Sequence, residues 1–242
     1  MVFYQCYRAF VRGKVEGMTA SRQDIEAATR ARAAVRAQGY FQLALGYAVS
    51  PGAPMALLVM GRIGSGKSTM ARCLHRNLGW PSYSSDAIRK RLAGLPLHER
   101  TPAGERSRLY SKEMTAKTYG LMLDEAIEAG RAGGGVIVDA TFGDPARRSE
   151  ARARFGEAGF KVCFVEMSAA DDEIRRRLSS RSQRPGEISD ARLEDFEPLS
   201  RAYEPPWEVP AGDRVSLRSG DSDAGTCSAA LAALADMTVA RA

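Results

Sequence analysis

The stretch from Ala56 to Met70 constrains this chain more than any other. Its apolar run, Ala56-Leu57-Leu58-Val59-Met60, predicts a short strand buried on both faces. The run leads into Gly61-Arg62-Ile63-Gly64-Ser65-Gly66-Lys67-Ser68, which fits the pattern G-x-x-x-x-G-K-[ST] throughout. Met70, Cys73, Leu74 and Leu78 then recur at helical spacing. Glycines let the backbone curl so that successive N–H groups converge on an anion. A helix that starts there presents its free N–H groups and positive dipole end to the same anion. A chance glycine-rich turn has no reason to come with strand, loop and helix in this order. The stretch therefore predicts a nucleotide site. Gly61, Ile63, Gly64, Ser65, Gly66 and Thr69 form the cradle, Lys67 reaches the β- and γ-phosphates of ATP, and Ser68 places its hydroxyl on Mg²⁺.

A length of 242 residues suits one α/β domain with a modest appendage. Apolar content of 44% and charged content of 26% are those of an ordinary globular protein. A net charge of +6 is mild, and no lysine- or arginine-only run marks a nucleic-acid tail, so nucleic acid is the less favoured partner. Cys6, Cys73, Cys163 and Cys227 are scattered. The apolar context of Cys73 and Cys163 predicts core packing in a reducing compartment. With His75 and His98 as the histidines, the spacings assemble no zinc site. Arg8 and Arg12 interrupt the N-terminal apolar pattern, which argues against a signal peptide. No apolar run is long enough for a membrane span. The expected location is cytoplasmic.

Residues 1–50 predict a helical hairpin. Phe3, Tyr7, Phe10, Val11 and Val15 make one stripe, and Val35, Tyr40, Phe41, Leu43, Leu45 and Tyr47 make another. Both stripes need a partner surface, on the chain's own domain or elsewhere. Ser21 with Asp24 resembles a capping box for a helix over 22–48. Ser50-Pro51-Gly52-Ala53-Pro54 reads as a linker to a second unit over 54–242. There, strands at 56–60, 82–85, 135–141, 160–167 and 214–217 alternate with helices. The intervening pattern predicts a loop over 94–104, one long helix over 107–131, and helices over 145–158, 171–180, 190–203 and 224–237. The alternation predicts an α/β fold with a five-stranded, mostly parallel sheet and helices on both faces.

Three further constellations fall at strand ends, where ligands sit in such sheets. Asp86 and Arg89 follow the second strand. A carboxylate there suits both a helix cap and a base that takes a proton from an attacking hydroxyl. Asp139 closes Val136-Ile137-Val138, the place of a Mg²⁺-holding carboxylate, and the next residue is Ala140 rather than a second acid. That favours transfer to an acceptor over hydrolysis. Arg175, Arg176, Arg177, Arg181 and Arg184 form a run from which one or two arginines would close over a transferring phosphoryl group, the remainder being solvated. The chain's lone asparagine, Asn77, leaves no guanine-reading element, and the protein-kinase catalytic loop is missing.

The runs Gly61–Thr69, Ser85–Gly94, Val138–Phe142 and Ser189–Ala191, together with Tyr119, resemble the bacterial P-loop kinases related to polynucleotide kinase, gluconate kinase, chloramphenicol phosphotransferase and zeta toxin. The resemblance covers about residues 54–240. It implies that Asp86 is the general base and Arg89 a substrate-site arginine; of the arginine run, the i, i+4 pair Arg177 and Arg181 is expected to be catalytic and Arg184, in the polar loop, to reach the nucleotide. Residues 7–15 resemble the last helices of an aminoglycoside-phosphotransferase-like domain, which implies that 1–50 is a remnant of such an upstream domain. The combined expectation is an ATP- and Mg²⁺-dependent kinase acting on a hydroxyl-bearing small molecule. A 5′-hydroxyl polynucleotide kinase and an ATP-dependent binding module are the alternatives.

Overall fold

The computed structural model describes residues 2–50, 52–181, 188–220 and 222–239. Strand β1 (Met55–Met60) is buried at all six positions, because it lies in mid-sheet with helices over both faces. It pairs in parallel with β3 (Gly135–Asp139) on one side and β4 (Lys161–Ser168) on the other. Strand β2 (Ser82–Ser84) lies outside β3, and β5 (Arg214–Arg218) outside β4. Among the described residues the sheet order is β2-β3-β1-β4-β5, parallel throughout.

Period-two alternation sends β1 side chains to two cores. Ala56, Leu58 and Met60 pack with Val136, Val138 and Phe164 under helices α6 (Lys112–Gly133) and α7 (Pro145–Glu157), through Tyr119, Met122 and Phe155. Met55, Leu57 and Val59 pack with Ile137, Val165 and Val215 under α3 (Lys67–Leu78) and α10 (Asp223–Val239), through Met70, Leu74, Ala230 and Leu234. Each large apolar side chain buried this way contributes roughly 1.5–3 kcal/mol.

Helices α1 (Val2–Ser21) and α2 (Ala27–Val49) form the expected hairpin, but its packing differs from the reading of its stripes. The close approach is made by Ala9 and Gly13 of α1, where a Cβ on Gly13 would lie 2.9 Å from the Phe41 ring. Phe3, Tyr7 and Val15 point to solvent, as do Val35 and Leu43 of α2, while Phe10 is half exposed with its ring centroid 5.9 Å from that of Phe41. Small residues won because they let two helix backbones come close. The Ser21–Asp24 capping box does not form: Ser21 Oγ bonds back to Gly17 O, Asp24 pairs with Arg22, and α2 starts at Ala27. The C-terminal end of α2 reaches the main body, where Val49 joins the α3 core and Gln42 donates to Arg76 O.

Two other expectations are corrected. The single helix over 107–131 is broken into α5 (Ala103–Leu109) and α6, because Ser111 caps the second by accepting the Met114 N–H at 3.2 Å. The helix over 190–203 shrinks to a 3₁₀ turn (Leu193–Asp195) and α9 (Phe196–Arg201), since Asp190 is buried and spends its carboxylate on Thr101. Cys73 and Cys227, 154 residues apart, are joined as a disulfide between α3 and α10, where the sequence predicted core packing of Cys73 in a reducing compartment. Cys6 and Cys163 are free thiols. No helix of the described residues is long and apolar enough to cross a membrane.

Candidate active site

The sheet register assembles the site. Val59 of β1 and Ser84 of β2 both pair with Asp139, the last residue of β3. The loop after β1, the helix after β2 and the Asp139 carboxylate therefore share one edge, the carboxyl ends of the strands.

The loop 61–66 curls through three glycines with positive φ: Gly61 at 140°, Gly64 at 70° and Gly66 at 100°. At Gly61 the close approach is absolute, because a Cβ there would lie 2.2 Å from the Met167 carbonyl oxygen. Ile63 is buried among Ala169, Ile174, Leu178 and Phe196, so it pins the loop to helix α8 (Asp171–Arg181) and offers a ligand only its backbone. Arg62 reinforces that anchor through Asp171 at 2.6 Å and Ala169 O at 3.3 Å. Gly66 is the N-cap of α3, which begins at Lys67 and Ser68. Lys67 Nζ donates to Arg62 O at 2.7 Å, folded along its own loop. Ser65 Oγ is buried with no hydrogen-bond partner, an unfilled polar position in the cradle. Thr69 accepts from Arg72 at 3.3 Å. Loop, helix terminus and orphaned hydroxyl fit a polyphosphate.

Asp139 is buried and hydrogen-bonded to Ser68. Burial pushes its carboxyl upward; Lys67 and the Ser68 hydrogen bond oppose that, and the charge of Asp86 adds to it. Lys67, Ser68, Asp139 and Asp86 are thus electrostatic neighbours. The buried carboxylate and the Ser68 hydroxyl form a hard oxygen donor set suited to Mg²⁺. Asp86 occupies the first turn of α4 (Ser85–Leu92), whose N-cap is Ser84 rather than Asp86. The cap reading of Asp86 therefore loses its position.

Arg89 is buried one turn along. Its guanidinium donates to Leu109 O at 3.0 Å and Thr115 Oγ1 at 3.1 Å and lies 4.8 Å from the Tyr110 ring centroid. Its Nε–H is buried without a partner. Tyr110 feels Asp86 and Arg89, and desolvation raises its phenol above the ordinary value. Arg177 lies over the glycine loop: it bonds Glu173 at 2.6 Å, Ser219 Oγ at 2.8 Å and Gly64 O at 3.5 Å. Arg175 and Arg176 pair with Glu197 and Glu173 on the surface. Arg184 and the Arg181 side chain lie outside the described residues.

Several neighbours escaped the sequence reading. Ser219 follows β5 and meets Arg177 against Gly66. Phe142 is a non-glycine residue at φ 46°, a conformation costing about 1–3 kcal/mol. Tyr119 Oη accepts its N–H at 3.3 Å, and buried Arg148 donates to its carbonyl at 2.7 Å. The preceding carbonyl, Thr141 O, accepts the Gly61 N–H at 3.3 Å, so this clamp holds the glycine loop in place. Positive φ at a phenylalanine leaves no mark in the sequence.

The sequence model of the AAA domain family matches residues 57–206. Uncharacterised proteins of Mycobacterium tuberculosis and Mycobacterium bovis are 32% identical to the chain over 214 residues, 88% of it. Wherever it starts, a match of that length reaches into α2 and past α9. The chain spans two fifths of the length of those relatives. Among solved structures, a gluconokinase from Sinorhizobium meliloti superposes with TM-score 0.54 at 19% identity, covering 76% of this chain and 93% of its own. The Mycobacterium tuberculosis APS kinase, in complex with AMPPNP and APS, gives 0.53 at 20% identity, with coverage of 78% and 99%. Kti12 of Chaetomium thermophilum, in complex with ADP-AlF3, gives 0.56 at 19%, with coverage of 75% and 98%. With a family match over more than half its length and this sheet order, the chain belongs to the AAA domain family and has the P-loop NTPase α/β fold of these kinases.

Proposed function

We propose that the protein is an ATP- and Mg²⁺-dependent phosphotransferase that moves the γ-phosphoryl group to a hydroxyl of a small molecule. The observation that carries this reading is the register that brings the end of β2, two residues before Asp86, and the end of β1, before the glycine loop, against Asp139, with buried Ala140 following. The loop amides and Lys67 hold the triphosphate. Ser68 and Asp139 would hold Mg²⁺, which when bound neutralises charge on phosphate oxygens. Asp86, half-buried in the first turn of α4, takes the proton of the acceptor hydroxyl as it attacks. Arg177, beside Gly64 and Gly66, stabilises charge on the transferring group. The nucleotides in the APS kinase and Kti12 complexes support a nucleotide at this fold position.

The test is an ATP-consumption screen over sugars, sugar acids, aminoglycosides, nucleosides and 5′-hydroxyl oligonucleotides, with Asp86→Asn as control. Turnover should fall about 10²–10⁴-fold in the variant. Binding of a non-hydrolysable ATP analogue should stay within about threefold. Transfer that survives Asp86→Asn removes the base assignment. Phosphorylation of the oligonucleotide alone would make this a polynucleotide kinase, and nucleotide binding with no acceptor turned over would make it a binding module.

A further inference from the structure

We infer that the acceptor carries an anionic group, a carboxylate or phosphate, and that Arg147 receives it; this rests on the phosphotransferase reading and names its substrate class. Helix α7 carries Arg147, Arg148, Arg152 and Arg154. Three of them are neutralised within the protein: Arg148 by Glu208, Arg152 by Asp213 and Arg154 by Asp124. Arg147 pairs with no carboxylate among the described residues. It is nevertheless held in place, its guanidinium 4.6 Å from the centroid of the Tyr119 ring.

Tyr119 is itself immobile. It is buried, packs edge-on against Phe142 with centroids 5.4 Å apart, and has its hydroxyl on the Phe142 N–H. A guanidinium stacked on a fixed ring keeps its N–H edge for a planar anion, which it grips with two parallel hydrogen bonds. The same Tyr119 hydroxyl feels Arg147, Arg89 and Asp86 together. Its bond to Phe142 sets the ring three residues past Asp139, at the edge where β2 pairs with β3 and leads into Asp86, so the stacked cation stands on the same edge as the base. On the Asp86 side, the buried Arg89 Nε–H is a second donor without a partner. A neutral polyol would leave the Arg147 edge to water and meet the Arg89 Nε–H with no charge. A hydroxy acid or a phosphorylated polyol presents its hydroxyl to Asp86 and its anion to Arg147.

The test uses matched probes titrated calorimetrically into protein loaded with Mg²⁺ and a non-hydrolysable ATP analogue: gluconate against glucose and glycerate against glycerol for carboxylates, glycerol 3-phosphate against glycerol for phosphates. The charged member of at least one pair should bind about 10-fold or more tighter than its neutral partner. Arg147→Ala should erase that preference while leaving analogue affinity unchanged, and Arg147→Lys should restore part of it. For any probe that turns over, Arg147→Ala should raise KM about 10-fold with kcat held within about threefold. The inference is overturned if no charged probe binds, if neutral partners bind equally well, or if the preference survives Arg147→Ala. Charged probes that bind through Arg147 but are never phosphorylated would leave the anion site standing and overturn the phosphotransferase reading. Phosphorylation of neutral compounds, indifferent to Arg147→Ala, would do the reverse.

Discussion

Replacing Asp190 by asparagine should cost this protein about 3–5 kcal/mol, although the change is one of charge and hardly of volume. Asp190 and Lys90 have side chains 2% and 1% exposed, with Nζ and Oδ1 3.5 Å apart. At an effective dielectric of about 20, a unit pair at that distance is worth roughly 5 kcal/mol, which vanishes while the buried ammonium remains. Lys90 keeps two acceptors, Leu97 O at 3.2 Å and Glu99 O at 2.7 Å, which moves the loss toward the lower end. An asparagine also presents an NH₂ to one of the two Thr101 donors, N–H and Oγ–H, that the carboxylate accepts. A loss of about 3 kcal/mol lowers the melting temperature by roughly 6–12 °C in a chain of this size. Urea titration followed by circular dichroism, alongside calorimetry, would measure it. Lys90→Met should cost less, because Asp190 retains both Thr101 donors, and the double variant should lose less than the two singles together. A loss below about 1 kcal/mol for Asp190→Asn, or additivity of the singles within about 0.5 kcal/mol, would refute the buried-pair argument. The pair ties the turn at 97–101 to the segment before α9.

Arg148→Met should cost about 2–4 kcal/mol in chemical denaturation, since it strips donors from Phe142 O and Glu204 O and leaves the Phe142 conformation unsupported. Its partner Glu208 has a pKa lowered from 4.5, first by the Arg148 hydrogen bond. That contribution to stability is complete above the unfolded value and lost as pH falls through the lower folded one, so Glu208→Gln should flatten the acid limb below about pH 4.5 in thermal melts. Gly61→Ala should weaken binding of a fluorescent ATP analogue at least about 10-fold, because the new Cβ meets Met167 O at 2.2 Å in a backbone of φ 140°; unchanged affinity would mean the loop is not the phosphate cradle. Gly135→Ala should destabilise by about 1–3 kcal/mol and shift tryptophan fluorescence, since its Cβ would lie 2.5 Å from the Trp80 indole.

What could be read from the sequence was whatever is written locally. The strand-loop-helix at 56–70 declares itself because apolar run, glycines, lysine and helical period are contiguous. The central strands followed from runs such as Val136–Val138, buried on both faces and so apolar, and the edge strands β2 and β5 from their place between helices. The positions of Asp86 and Asp139 at strand ends were legible for the same reason, while their adjacency needed the register of β2 on β3. Features set by distant partners were not legible. Cys73 and Cys227 meet only because α10 packs on α3. The aromatic stripe of α1 left its partner open, since periodicity reports an apolar face and not whether anything covers it, and here Ala9 and Gly13 made the close approach. Arg147 and Arg148 show the limit most sharply. They are adjacent and of one type, yet consecutive helix positions point about 100° apart. One side chain passes under Phe142 to a glutamate 60 residues away, and the other lies on Tyr119 with its edge unspent. That difference ties one arginine into the fold and leaves the other without a carboxylate among the described residues, and it exists only once β3, α6 and the segment before β5 have met.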